Sequence, residues 1–232
     1  MPKHKTYCNW SSGKDAALAL HYTLKENKYD VTELVTSVNS HFQRVTMHGL
    51  PINLLKAQTE AIGIKGTTIE LPENPSMDQY NQIMKRTTTR LQNEGYTHSL
   101  FGDIFLEDLK QYRETELEKV GLTGVFPLWK KDTKTVINTF LDLGFKAVVI
   151  CASAKYFDED FVGKTLTKDL IAGLPSDVDP CGENGEFHTF CYDGPIFKSP
   201  VKFTIGEKTY REYDAPNAEG EKTGFWFCDL TS

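Results

Sequence analysis

Ser11-Ser12-Gly13-Lys14-Asp15-Ala16 is the stretch whose residue types suit an anionic ligand best. Small side chains let phosphate oxygens come close to the backbone, and where such a loop opens a helix, the free N–H groups and the macrodipole attract negative charge. Lys14 would add a point charge, and Asp15 a hard oxygen ligand for Mg2+. The segment is not a Walker A loop, which requires a glycine five residues before Gly13, where Cys8 stands. The competing reading of the same residues is a helix start whose lysine and aspartate point into solvent.

A second concentration of polar chemistry is Cys181-Gly182-Glu183-Asn184-Gly185-Glu186-Phe187-His188-Thr189. Gly182 and Gly185 allow a turn with unusual backbone angles, around which Glu183, Asn184, Glu186 and His188 crowd. Carboxylates and an imidazole gathered this way can bind an amine or ammonia or act as general bases; a polar turn that caps its own backbone is the alternative. Cys181, His188 and Cys191 have ligating atoms for zinc, but a fourth ligand is not evident and the spacing matches no finger pattern. Gly163-Lys164-Thr165 reads as a helix start, because Asp158 occupies the place of the first Walker glycine. Lys155 and Lys164 are further candidates for an anion.

These residues need elements to hold them. Residues 6–10 read as a strand that feeds the loop, and Ala16-Ala17-Leu18-Ala19-Leu20 as the helix after it. Strands are expected at 31–38, 67–71, 97–101 and 125–126, with helices at 51–62, 76–93, 107–120 and 133–143 between them. The apolar run 147–152 has the composition of a central parallel strand buried on both faces. Unbroken alternation from 6 to 152 predicts an α/β fold with a doubly wound, mostly parallel, Rossmann-like sheet and a ligand crevice at the carboxyl ends of its strands. From about 153 the pattern changes to a helix at 164–172 and short strands at 186–192, 201–205, 209–213 and 224–228. The expected organisation is a main domain over 1–152 and a smaller β-rich region over 153–232.

Charged residues make up 25% and hydrophobic residues 39% of the 232 residues, enough for a packed core without extensive disorder. A net charge of -6 argues against non-specific binding of nucleic acid, which needs a basic surface. Five scattered cysteines without a C-x-x-C pair indicate neither a disulfide framework nor a zinc ribbon, so a reducing, cytoplasmic setting is expected. No run approaches the roughly 20 apolar residues of a membrane span, and the first residues lack the apolar stretch of a signal peptide.

The loop 11–16 resembles the PP-loop of N-type ATP pyrophosphatases, S-G-G-x-D-S, with Ser12 in place of a glycine and Ala16 in place of the last serine. Ser12 fits that pattern only where its backbone needs no positive φ. Gly102-Asp103-Ile104, the 109–116 segment and Pro127-Leu128-Trp129 are similar to the G-D-I, Y-R/K-x-x-x-E and P-L-W elements of one branch, the diphthine-ammonia ligase family. Residues 179–189 resemble its C-G-E-N-G-E-[FY]-H-T element, and Phe161 to Lys164 its short F-x-G-[RK] element on the substrate side. The resemblance implies an ATP- and Mg2+-dependent ligase that adenylates a carboxylate, releases AMP and pyrophosphate and forms an amide with ammonia. It implies ATP at Ser11, Ser12, Gly13, Lys14, Asp15, Ala16 and Gly102, with Mg2+ on Asp15, and Asp103 beside the nucleotide. Glu183, Glu186 and His188 would serve the acceptor, and Met47, in the loop with Asn39, His41, Arg44 and His48, would pack on adenine by fold analogy. The acceptor would be diphthine on an elongation factor where the source makes diphthamide, and another carboxylate elsewhere. A homo-oligomer is compatible with all of this. A tRNA-modifying PP-loop pyrophosphatase and a non-catalytic nucleotide-binding module are the competing functions.

Overall fold

The structure is a computed structural model that describes residues 2–46, 49–214 and 222–232. In chain order it comprises β1 (His4–Asn9), α1 (Lys14–Lys25), β2 (Tyr29–Asn39), β3 (Arg44–Val45), α2 (Ile52–Ile62), β4 (Lys65–Leu71), α3 (Met77–Asn93) and β5 (His98–Leu100). There follow α4 (Glu107–Glu118), β6 (Thr123–Val125), α5 (Thr133–Asp142), β7 (Lys146–Ser153), α6 (Lys168–Ala172), β8 (Phe187–Asp193), β9 (Thr204–Asp214) and β10 (Lys222–Thr231). Helix ends carry the signals that local physics requires. Ser76 and Gln79 form a reciprocal capping box at α3, Asp132 accepts from the Thr135 N–H at α5, and Gly63 closes α2 in the left-handed region.

The first sheet runs β4-β2-β1-β5-β6, all parallel, with the two-residue β3 antiparallel to the end of β2. From central β1 the chain moves outward through β2 to β4, then crosses back to β5 and β6. The strand order therefore reverses between β1 and β5, and their carboxyl ends open a crevice there. This is the doubly wound α/β architecture expected.

The apolar run 147–152 is a correction. It lies in β7, which pairs antiparallel with β8 on one side and β10 on the other, in a second sheet ordered β8-β7-β10-β9. A continuous apolar run reports burial, not the direction of the neighbouring strands, so the sequence could not assign it to a sheet. The helix expected from 164 also starts later, at Lys168. Residues 164–166 run alongside β7 instead, with the Gly163 N–H donating to the Val149 carbonyl and the Leu166 N–H to that of Ala147. The separate strands expected at 201–205 and 209–213 are replaced by the single long β9.

One apolar cluster runs from Cys8, Leu18 and Leu54 of the first sheet's layer to Val149, Phe187 and Leu230 of the second. A smaller cluster, including Tyr7, Val35, Leu91 and Phe101, seals the opposite face of the first sheet against α3. Among the described residues no helix is long and apolar enough to cross a membrane.

Candidate nucleotide and acceptor site

The loop after β1 is anchored before it turns. The Trp10 N–H donates to the Val35 carbonyl, and the Thr36 hydroxyl donates to the Trp10 carbonyl at 2.7 Å. Ser12 then takes φ +71°. The condition under which serine would fit the glycine position is therefore not met, and an L-residue sits in the left-handed region. Its carbonyl accepts from the Cys191 N–H at 2.9 Å and from Gln58 Nε2 at 3.0 Å. Its own hydroxyl is buried, with no hydrogen-bond partner among the described residues.

Gly13 is the N-cap of α1 and offers no side chain, so the first-turn N–H groups find partners elsewhere. The Gly13 N–H meets the Ser11 hydroxyl at 3.3 Å, and the Lys14 N–H meets the Thr189 hydroxyl of β8 at 3.1 Å. Gly102, at the end of β5, faces the same turn: a Cβ there would stand 2.9 Å from the Ala16 nitrogen. Only glycine leaves that approach open.

Lys14 does not point into solvent. It is 3% exposed, its ammonium pairs with Asp15 Oδ2 at 2.7 Å and donates to the Cys181 carbonyl, and it lies 5.4 Å from the centre of the Phe187 ring. The lysine thus reaches from the loop into the 181–189 turn. That turn closes on the other side through Glu183, whose Oε2 accepts from the Ile104 N–H at 3.3 Å. Asp103 holds Arg113 of α4 in an ion pair at 3.0 Å, although the Nε–H is not aimed along the line between them. Loop 11–16, loop 102–104 and turn 181–189 are therefore one constellation at the switch point, in which Lys14 touches residues 167 and 175 positions further along the sequence.

The charges there oppose one another. Burial pushes Glu183 up to about 8, with the Asp15 carboxylate adding to the effect. Burial also raises Asp103, against the pull of Arg113, and holds Asp15 above the usual carboxylate range despite Lys14. Burial alone would lower Lys14, but Asp15 and its neighbours leave it raised and charged. His188 is lowered to about 4 by burial and by Lys14, so its imidazole is neutral at ordinary pH.

Glu186 has a different task. It is 2% exposed, and its carboxylate accepts from the Asp179 N–H, the Asn184 N–H and the Asn184 amide at 2.9–3.0 Å. Burial would raise it, but those bonds hold it below its ordinary value. Gly182, at φ +69°, keeps the turn tight, since a Cβ there would meet the Phe187 carbonyl at 2.7 Å.

Other expected residues lie apart or elsewhere. Met47 and His48 fall outside the described residues. Arg44 is engaged by Asp229 of β10 at 2.7 Å and by the Gly49 carbonyl, and Asn39 caps the N–H groups of His41 and Phe42. Lys155 stacks on Tyr156, and Lys164 helps line a cavity of about 340 Å3 whose Phe157 and Phe161 pack edge-on against Phe187. Sequence reasoning missed Gln58, fully buried in α2, which binds Trp10, Ser12 and Cys191. The available signal was an amide on the face that also carries Leu54, Leu55 and Ile62.

A parallel sheet whose first strand feeds a small-residue loop into a helix at the switch point, without the Walker glycine, defines a nucleotide-binding protein of the PP-loop type. The family models described as diphthamide synthase N-terminal domain and diphthamide synthase C-terminal domain match residues 4–124 and 132–217. The chain belongs to the diphthamide synthase family. It is 32% identical over 107 residues to the diphthine–ammonia ligase of Schizosaccharomyces pombe, covering 43% of this chain and 18% of that protein. With the Mus musculus diphthine–ammonia ligase it shares 24% over 148 residues, 62% of this chain and 54% of the relative. The Danio rerio protein of the same name shares 23% over 160 residues, 66% and 63% respectively. The chain thus spans from less than a fifth to under two thirds of these relatives' length. A solved structure described as a predicted subunit of tRNA methyltransferase from Methanocaldococcus jannaschii aligns over 67% of this chain and 80% of that one, at 16% identity. Its TM-score of 0.39 is too loose a superposition to bear on fold or function.

Proposed function

We propose that this chain is an ATP-dependent ligase that adenylates a carboxylate, releases pyrophosphate and forms an amide from the adenylate and ammonia. The observation that carries the reading is the joining of loop 11–16 to turn 181–189, through Lys14 to the Cys181 carbonyl and the Cys191 N–H to the Ser12 carbonyl. Nucleotide chemistry and acceptor chemistry can meet there. The relatives' name, diphthine–ammonia ligase, supports diphthine as the acceptor and ammonia as the nitrogen source.

The residues fit a triphosphate. The N-cap of α1 is Gly13, which has no side chain to occupy the helix N-terminus, and the missing Cβ of Gly102 lets the chain after β5 pack directly on that first turn. A carboxylate is a poor electrophile at neutral pH, so its oxygen attacks the α-phosphate and pyrophosphate leaves. Loop N–H groups of residues 11–16, other than those of Gly13 and Lys14 that Ser11 and Thr189 already engage, stabilise the charge that develops on the leaving oxygens. Mg2+ would screen that charge, with Asp15 as its protein ligand; it prefers one or two carboxylates together with substrate phosphates. Among the described residues no three acidic, histidine or cysteine side chains form a metal-binding group by themselves.

Asp103, held by Arg113, borders the nucleotide side, while Glu183 and the neutral His188 face the acceptor. A carboxyl with a pKa of about 8 is mostly protonated at pH 7 yet basic enough, once ionised, to take a proton from the attacking nitrogen, which suits Glu183 to that role. Glu186 serves the acceptor side by holding the turn. Incubation with ATP, Mg2+, ammonium and the diphthine-bearing factor should yield AMP, pyrophosphate and an amide of the expected mass. Substrate-dependent ADP and orthophosphate would overturn the reading.

A further inference from the structure

We propose that Gln58 is a positioning residue that locks Ser12 in its left-handed conformation and so aims the phosphate-facing N–H groups of the loop. The inference rests on the nucleotide reading above and deepens it.

Gln58 lies on α2, 0% exposed, where an unpaired amide would be costly. Its orientation follows from chemistry alone. The Trp10 indole N–H is only a donor and meets Gln58 Oε1 at 2.7 Å, so the amide nitrogen must face the other way. There it donates to the Ser12 carbonyl at 3.0 Å and to the Cys191 carbonyl at 2.5 Å. The Cys191 N–H closes the ring by donating to the same Ser12 carbonyl at 2.9 Å. One side chain thus ties the end of β1, the loop and β8 together.

Ser12 needs such a clamp. A non-glycine residue at φ +71° lies above its relaxed state, and among the described residues no hydrogen bond to its own hydroxyl offsets this. Without Gln58 the Cys191 N–H alone, among the described residues, holds that carbonyl, and the peptide plane is freer to rotate and carry the following N–H groups away from the phosphates. Glycine takes the same angles without that cost. The clamp is therefore needed because position 12 is serine, and glycine at 12 should make it dispensable.

The test is a double-mutant cycle on the full chain with Gln58→Met, which conserves volume, and Ser12→Gly, read by ATP affinity. Gln58→Met should weaken ATP binding about tenfold, the loss expected when a clamp against 1–2 kcal/mol is removed. In the Ser12→Gly background the same substitution should cost less than about threefold. Equal losses of ATP affinity in the two backgrounds, or none in either, would overturn the proposal. Should Gln58→Met not fold, Trp10→Phe removes the donor that orients the amide and should show the same background-dependent loss. A second readout does not depend on ATP. Hydrogen exchange at the Cys191 amide should accelerate in Gln58→Met and slow again with glycine at 12. If the parent binds no ATP, the nucleotide reading fails while this exchange pattern still decides the clamp.

Discussion

Ser12 combines two local penalties, a left-handed backbone and a buried hydroxyl without a partner among the described residues. Each is worth on the order of 1–2 kcal/mol. Ser12→Gly relieves both and loses part of the gain to the greater freedom of glycine in the unfolded chain. The expected net effect is a stabilisation of about 1–2 kcal/mol, seen as a melting temperature raised by roughly 2–6 °C. A lowered melting temperature would show that the Ser12 side chain packs to more benefit than its strain costs. Glu183 gives a second residue-scale outcome. Its ordinary value is 4.5 and its folded value about 8, so below the former both states hold the proton and stability is undiminished. As pH rises towards the folded value, the unfolded chain releases that proton and the folded one keeps it, so stability falls. Glu183→Gln has no such proton, and its stability relative to the parent should grow through that window by on the order of 1–3 kcal/mol. A pH-independent difference between the two in chemical denaturation would refute the assignment.

At the scale of elements, the site depends on β5 delivering a residue without a side chain to the first turn of α1. Gly102→Ala would insert a methyl 2.9 Å from backbone atoms of Asp15 and Ala16, which cannot move aside as a flexible side chain would. Overpacking of this kind costs about 1–3 kcal/mol, and here it displaces the first turn of α1, whose N–H groups are proposed to face the phosphates. Calorimetric titration should show ATP affinity down at least about tenfold, more than the accompanying loss of stability explains. Unchanged affinity would move the phosphates away from this junction. The elements that form this junction were largely legible in the sequence, because glycines, small residues and charged turns mark positions where local chemistry leaves little choice. Gln58 was legible only as an amide on the apolar face of α2, since nothing in the sequence says which backbone groups from other elements it will meet. The partnership of β7, whose composition records burial but not which sheet buries it, was not legible. Lys14 looked like an exposed or phosphate-bound charge, and only the return of the chain at Cys181 supplies the carbonyl that draws it inward.

For the whole molecule, the question is whether the two sheets are separable. The family models divide the chain between 124 and 132, yet the main apolar cluster crosses that division, with Leu18 and Leu54 on one side and Val149, Phe187 and Leu230 on the other. Polar contacts cross it too, from Ser12 to Cys191, Lys14 to Cys181 and Ile104 to Glu183. Interfaces that allow independent motion are smaller and more polar than a continuous core. The site also spans the division, so relative motion of the sheets would dismantle the place where nucleotide and acceptor meet. Thermal unfolding should therefore be a single transition, with calorimetric and van't Hoff enthalpies equal. Bound ATP should shift that transition as a whole, because it binds an assembly that only the folded chain contains. Two resolved transitions, only one of them moved by ATP, would mean that the second sheet folds apart from the nucleotide site, and the acceptor role of turn 181–189 would then lose its physical basis.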